Sequence, residues 1–378
     1  MRVLGSAVLP PPIRHVQTWA AEYRGDRPVL DVSQGTSGVI PPQMADASEQ
    51  AWVSYGEREG SEGLREALAS DVRDLYRTGY VEADDILVTA GCNEAFCAVA
   101  GALVGAGDEV VLLSPFYFNH DMWLRLIGAR PTYVPMPFSG DIDEEHLEDA
   151  ARSARLIVAA SPSNPTGAEL SRHSFEAIER VCRKYGIPFV LDETYSVFRR
   201  DAGNSPHELF GEGWHDYLIS LRSLSKEFSM PGHRIGAAIA GPALLQGAAK
   251  WHDCMSIVAP TSGQNFAEFA LNNLRGWRHE LAARIRSNGE TFVKDLRSGT
   301  SPFVLDSWGG FFLWLAHPLS GLSDEAAAQS LAKRLGVLSV PGSYFAPTET
   351  GRLRVSAAGL SPATGQDLLA RLNEVESW

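Results

Sequence analysis

Cysteine and lysine are both scarce in this chain of 378 residues. The four cysteines, Cys92, Cys97, Cys182 and Cys254, are widely separated and form no CxxC pair. That excludes a disulfide framework, and a reducing, intracellular compartment is expected. No metal site is expected. The longest apolar run, Ala95 to Gly107, has 13 residues with three glycines, short of the ~20 that a membrane-spanning helix requires, and it reads as a buried helix. Positive charge is also in deficit: 33 Lys+Arg against 46 Asp+Glu leave a net charge of -13. With no basic patch to offset that field, binding to nucleic acid or to an anionic membrane surface is excluded. Prolines interrupt the opening "MRVLGSAVLPPPIR", so a secretory signal is not expected and the cytoplasm is the expected location. Internal repeats and low-complexity segments are lacking.

What is present is an ordinary globular composition, 44% hydrophobic and 21% charged, in a length suited to two or three compact units. Short apolar runs start at Ile86, Glu109, Ala154, Ile187, Tyr217 and Arg234, separated by helix-length amphipathic stretches. Strands apolar on both faces and spaced in this way predict an α/β domain, a mostly parallel sheet covered by helices. A helix is predicted from Ser61, with Leu64, Leu68, Val72 and Leu75 on one face. Toward the end the pattern becomes helix, strand ("GGFFLWLAHP"), helix and short strands ("GVLSVPG", "RLRVSAAG"). The expected division is an N-terminal segment 1–45 joining the small domain, a large domain 46–282, and a smaller C-terminal domain 283–378 of α+β type.

Of the five lysines, Lys226 has the most unusual setting, "SLRSLSKEFSMPGHRIG". An amine with a reference pKa near ~10.4 becomes a nucleophile only when desolvated or placed beside positive charge. Taken alone, Lys226 is equally a surface lysine on a loop. Its neighbours give it context. Ser223 and Arg234 are a hydroxyl and a guanidinium suited to a phosphate dianion. In "VLDETY", Asp192 ends an apolar strand and needs a cationic partner there, with Tyr195 three residues on. Asn164 lies in "SPSNPTG", at a turn. "ILVTAGCNEAF" reads as strand, Gly91 turn and helix start, so the Cys92 and Asn93 amides would face an anion with the helix dipole behind them.

These motifs, in this order over almost the whole length, resemble a pyridoxal-phosphate enzyme of fold type I, in the class I/II aminotransferase family. The resemblance implies that Lys226 forms a Schiff base with pyridoxal 5'-phosphate and then serves as general base, that Asp192 pairs with the ring nitrogen, and that Asn164 and Tyr195 bind the ring O3'. It implies a phosphate site of Gly91, Cys92, Asn93, Ser223, Ser225 and Arg234, and an aromatic stack from Tyr117. Tyr55, opening "YGEREGSEGLREALA", would reach the phosphate of a neighbouring subunit, which implies a homodimer with shared sites. Arg354 would bind the substrate carboxylate, with Arg352 as the alternative on the same strand face, and Gly35 would close over the substrate.

Departures lie on the substrate side: Ser37 where a proline is common, His120 as the second aromatic of the "PxYxxY" pattern, and His233 before Arg234. Both histidines read as structural residues. The function implied is transfer of the amino group of an L-amino acid to a 2-oxo acid. The alternative is a lyase or synthase with the same cofactor, since the Lys226 segment is also similar to that of aminocyclopropane-carboxylate synthases. A regulator module would need an added DNA-binding domain ahead of the motifs, where only about 45 irregular residues stand.

Overall fold

Apolar side chains on both faces of a strand can be satisfied only if helices cover both sides of the sheet. The computed structural model, which describes residues 12–35, 55–201 and 203–377, is built this way. After β1 (Leu30–Asp31) come β2 (Ile86–Thr89), β3 (Glu109–Ser114), β4 (Arg130–Pro135), β5 (Ala154–Ala160), β6 (Phe189–Asp192), β7 (Leu218–Ser223) and β8 (Gly236–Ile239). These last seven form one sheet in the order β2-β8-β7-β6-β5-β3-β4, and β8 alone runs against the others. Alternate residues serve two cores. Val111, Ile157 and Leu191 face one cluster, while Val110, Leu156, Val158 and Val190 face the other.

The six predicted strands are present, each within the run that signalled it. The edge strand β4 was not predicted: it carries Pro131 and Pro135 and is only partly buried, which blunts the apolar signal. The helix Glu62–Tyr76 starts where expected, with the Ser61 side chain accepting from the Leu64 amide. The apolar run lies largely in the helix Cys92–Leu103. Among the described residues no helix is long and apolar enough to cross a membrane.

A second, antiparallel sheet is formed by β9 (Val304–Gly309), β10 (Phe312–Ala316), β12 (Val340–Pro341) and β13 (Arg352–Ser356), in the order β12-β13-β10-β9. β11 (Val337–Leu338) instead pairs with β1. Val16, Trp19 and Val32 from the N-terminal side share a core with Leu313, Trp314 and Val355 of this sheet. The helix Arg275–Ser298 runs through the expected boundary at 282/283.

Under the strand ends lies a buried charge network. Arg222 of β7 contacts Asp71 at 3.2 Å and Glu227 at 2.7 Å, and Arg278 contacts the same two at 2.8 and 2.9 Å. Burial alone would raise the Asp71 carboxyl, but Arg278, Arg222 and Arg275 outweigh it and bring it down to about 2. A depressed carboxyl contributes stability above its unfolded value of ~3.9, which is lost as pH falls through the folded value. Asp71→Ala should therefore cost about 3–5 kcal/mol at pH 7, the range for breaking a buried ion pair. Urea unfolding should show the deficit at neutral pH and a shrinking gap from wild type as pH falls from about 4 toward 2.

Candidate active site

In an open α/β sheet, ligands bind outside the carboxyl ends of the strands. Residues at or just after the ends of β2, β3, β5, β6 and β7 line a cavity of about 210 Å³. Because β8 is reversed, its first turn is at that same edge, and Arg234 joins the lining.

Lys226 lies in the short helix Leu224–Glu227 directly after β7. Its Nζ donates to the Gly35 carbonyl at 2.8 Å, and among the described residues no carboxylate pairs with it. Burial, then the charges of Arg354 and Arg234, bring the amine down to about 8. Opposite is Asp192. Burial would raise its carboxyl, yet His120 Nε2 at 3.3 Å and the Thr194 amide, which donates at 3.0 Å, hold it below its ordinary value. His120 is thus a buried partner of the acid. Cys92, expected to contribute its backbone amide, also sets its side chain beside the acid. Its Sγ lies 3.7 Å from Asp192 Oδ1, and burial followed by the Asp192 charge pushes the thiol well up.

At one end of the cavity Gly91 caps the helix Cys92–Leu103 at φ 92, so the Cys92 and Asn93 amides start the helix facing the cavity with Ser223, Ser225 and Arg234. Any Cβ at Gly91 would lie 2.3 Å from Arg234 Nη2, and one at Gly236 would lie 2.4 Å from the Cys92 nitrogen. Both glycines keep this cradle open. Glu94, in the first helical turn, accepts from the Ala90 amide and from Ser256 Oγ at 2.5 Å, and stands 3.3 Å from His252. That carboxylate is therefore turned into the turn's own frame.

Arg354, on β13, forms the other end. It donates to Asn164 Oδ1 at 2.7 Å and to the Ser33 carbonyl, its Nε has no partner, and among the described residues it forms no ion pair. Burial lowers it to about 10. Phe312 and Phe345 lie 4.6 and 5.0 Å from its guanidinium carbon. Arg352, the alternative, points elsewhere and pairs with Asp306 at 2.8 Å.

The cavity thus brings together Gly35, Cys92, Asn93, Tyr117, Asn164, Asp192, Tyr195, Ser223, Ser225, Lys226, Arg234 and Arg354, all singled out from sequence. Tyr55 is not among them and is 75% exposed. His233 stacks on Phe266, away from the cavity. Ser37 and Thr36 lie outside the described residues. Thr194, Gln34, Phe312, Phe118 and Ile13 also line it and were missed. Thr194 lies inside "DETY" and was legible there, whereas Ile13 and Phe312 arrive only through packing of the small sheet and N-terminal helix.

The sequence profile of the family "Aminotransferase class I and II" matches residues 30–372. The aromatic aminotransferase ISS1 of Arabidopsis thaliana is 30% identical over 361 residues, covering 91% of this chain and 89% of the relative. The arginine–pyruvate transaminase AruH of Pseudomonas aeruginosa is 30% identical, covering 90% and 88%. Among solved structures, N-succinyldiaminopimelate aminotransferase from Mycobacterium tuberculosis superposes with a TM-score of 0.88 at 25% identity, covering 99% of both chains. A profile match over most of the length, with relatives at this identity and a cavity holding a buried lysine, carboxylate and two guanidinium groups, leads to one assignment: the chain belongs to the class I and II aminotransferases, enzymes that use pyridoxal phosphate to move an amino group from an amino acid to a 2-oxo acid.

Proposed function

We propose that the protein binds pyridoxal 5'-phosphate through Lys226 and transaminates L-amino acids whose side chains are apolar. The observation that carries the reading is an amine facing the cavity with no carboxylate partner among the described residues, drawn down to about 8 by burial and two guanidinium groups. Such an amine is about half uncharged near pH 8 and ready to condense with an aldehyde. The donor set also fits the cofactor. Two helix-start amides, Ser223, Ser225 and Arg234 suit its phosphate, Asp192 held as carboxylate suits its ring nitrogen, and Asn164, whose Oδ1 accepts from Arg354, is left with its amide N–H groups to donate to the ring hydroxyl together with Tyr195.

When bound, the cofactor supplies an aldehyde for the amino group and a ring that takes up the electron pair of the Cα–H bond. The chain's own groups do the rest. Arg354 clamps the substrate carboxylate, and Asn164 fixes the guanidinium plane. Lys226 Nζ would be placed to take up and return the proton at Cα. Asp192, kept charged by His120 and Thr194, holds the ring nitrogen protonated. Ile13, Phe118 and Phe312 offer apolar surface in the cavity, and the cavity's cations among the described residues, Lys226, Arg234 and Arg354, are all engaged in these tasks. That favours an apolar side chain over a second carboxylate, in line with the likeness to an aromatic aminotransferase. We also propose a cytoplasmic homodimer. Its support is Tyr55, exposed on one chain and suited to completing a partner's phosphate site.

Protein loaded with pyridoxal phosphate should be yellow and borohydride-reducible, and adding an apolar amino donor should bleach the colour while an oxo acid appears. A colour that persists while a leaving group is released would point to a lyase, and Lys226→Ala should give no reducible band. Donor screening should rank leucine, phenylalanine or methionine above aspartate. In apoenzyme, capture of the aldehyde should speed up as pH rises through about 8. Arg354→Gln removes a charge that lowers the amine, so that midpoint should move upward, while KM for the donor rises about 30-fold or more, as for truncation of a buried charge pair. His120→Phe should lower kcat by about 10- to 100-fold, the equivalent of one charge-assisted hydrogen bond, with the Lys226 Schiff base still formed.

A further inference from the structure

The long helix Arg275–Ser298 sets Arg278, His279, Ala282 and Arg286 along one side through its 3.6-residue repeat. Facing it is the turn Ser196–Phe198, which follows Tyr195. Between them lies a second cavity, of about 130 Å³, that shares no residue with the first. Leu75, Val197 and Ala282 give it apolar walls. Its polar lining is Ser196, the guanidinium groups of Arg199, Arg278 and Arg286, and the His279 imidazole, without a single carboxylate among the described residues.

The three guanidinium groups differ in how they are compensated. Arg278 meets Asp71 and Glu227 through Nη1 and Nη2, but its buried Nε has no partner. Arg199 is 7% exposed and, among the described residues, donates to carbonyl oxygens, those of Ser196 at 3.1 Å and Asn204 at 2.5 Å. Asp201, the carboxylate that acts on Arg199, is taken up by the Gly203 amide and the Asn204 side chain. Arg286 has an unpartnered buried Nε, and neither it nor Arg199 forms an ion pair among the described residues. In a chain of net charge -13, like charges gathered around so small a space, with donor groups left over, are stabilised by an anion that meets them from several sides.

We propose that this cavity binds a compact oxyanion of the phosphate class, at a site separate from the catalytic cavity. Guanidinium groups line two walls, Arg199 beside the turn Ser196–Phe198 and Arg278 with Arg286 on the helix, and the buried Nε of each of the last two has no partner among the described residues. That suits a tetrahedral anion better than a planar carboxylate, which one arginine fork satisfies. The bound anion joins the segment after Tyr195 to the helix that leads into the small antiparallel sheet, so it stabilises the fold by mass action.

The test uses enzyme loaded with pyridoxal phosphate, so that the catalytic phosphate locus is filled, titrated with inorganic phosphate at constant ionic strength. Calorimetry should show saturable binding at one site per chain, and Tm should rise with phosphate. Arg286→Gln should weaken binding about tenfold, the loss of one charge-assisted hydrogen bond, with transamination in phosphate-free buffer unchanged. Arg286→Lys should retain binding in part, which separates charge from packing if the glutamine variant is destabilised. Absence of saturable binding, or wild-type affinity in Arg286→Gln, would overturn the site. Binding abolished by excess pyridoxal phosphate but indifferent to Arg286 would place the anion in the catalytic cavity and overturn it as well.

Discussion

The Lys226 amine sits buried at the rim of a parallel sheet, flanked by Arg354 and Arg234 and hydrogen-bonded to a carbonyl oxygen rather than a carboxylate. A cation in that position is costly, because desolvation is not repaid by an opposite charge. The same holds for Arg354, whose partners are an amide and a carbonyl. Two uncompensated cations at one rim are tolerable only if the surrounding scaffold is stable enough to hold them, and if ligands of the right sign complete the site. The chemistry of the cavity follows from that imbalance. Among the described residues neither the amine nor the guanidinium has an ion-pair partner, which is what a group meant to meet an aldehyde or a carboxylate would need.

The scaffold meets this demand through adjacent acidic residues that face the opposite way. Lys226 points into the cavity, while Glu227 points into the core and accepts from Arg222 and Arg278. Asp192 likewise lines the cavity, while Glu193 accepts from Tyr76 and Ser220 at 2.6 Å each and lies 3.2 Å from His207. Each reactive group therefore has a neighbour anchored in a buried, hydrogen-bonded network. Several shared hydrogen bonds restrain each of these carboxylates, although Arg222 Nε and Nη1 and Arg278 Nε have no partner among the described residues. A shift of the Lys226 backbone would break the Glu227 contacts, and a shift of Asp192 would break those of Glu193. Precision at the rim is thus supplied from beneath it.

Much of this was legible in the sequence because the groups involved occupy fixed strand ends. The run before Asp192 is apolar on both faces and that before Ser223 is apolar on one, so the polar residues after them had to emerge at one edge, and Asn164 and Gly91 follow by the same logic. The His120–Asp192 contact was not legible: it joins the helix after β3 to the end of β6, and no local period encodes that. Ile13, Gln34 and Phe312 reach the cavity through packing of the small sheet, again a long-range matter. The choice between Arg352 and Arg354 needed the structure too. Two residues apart on a strand they share a face, and their partners separate them: Asp306 holds Arg352 while Asn164 and the Ser33 carbonyl hold Arg354 in the cavity.

The reversal of β8 was also hidden, since a buried four-residue strand reads alike in either direction. It matters because strand direction decides which edge each end occupies. Were β8 parallel to β7, its start would lie at the opposite edge, a distance of roughly 13 Å for four residues, and Arg234 would be lost to the cavity. Running it backward returns the chain to the same rim only a short loop after Lys226, and it sets Gly236 beside the Cys92 amide. The amine that would join the cofactor and the guanidinium that would grip its phosphate then lie in one short connection whose two ends are pinned side by side by the β7–β8 ladder.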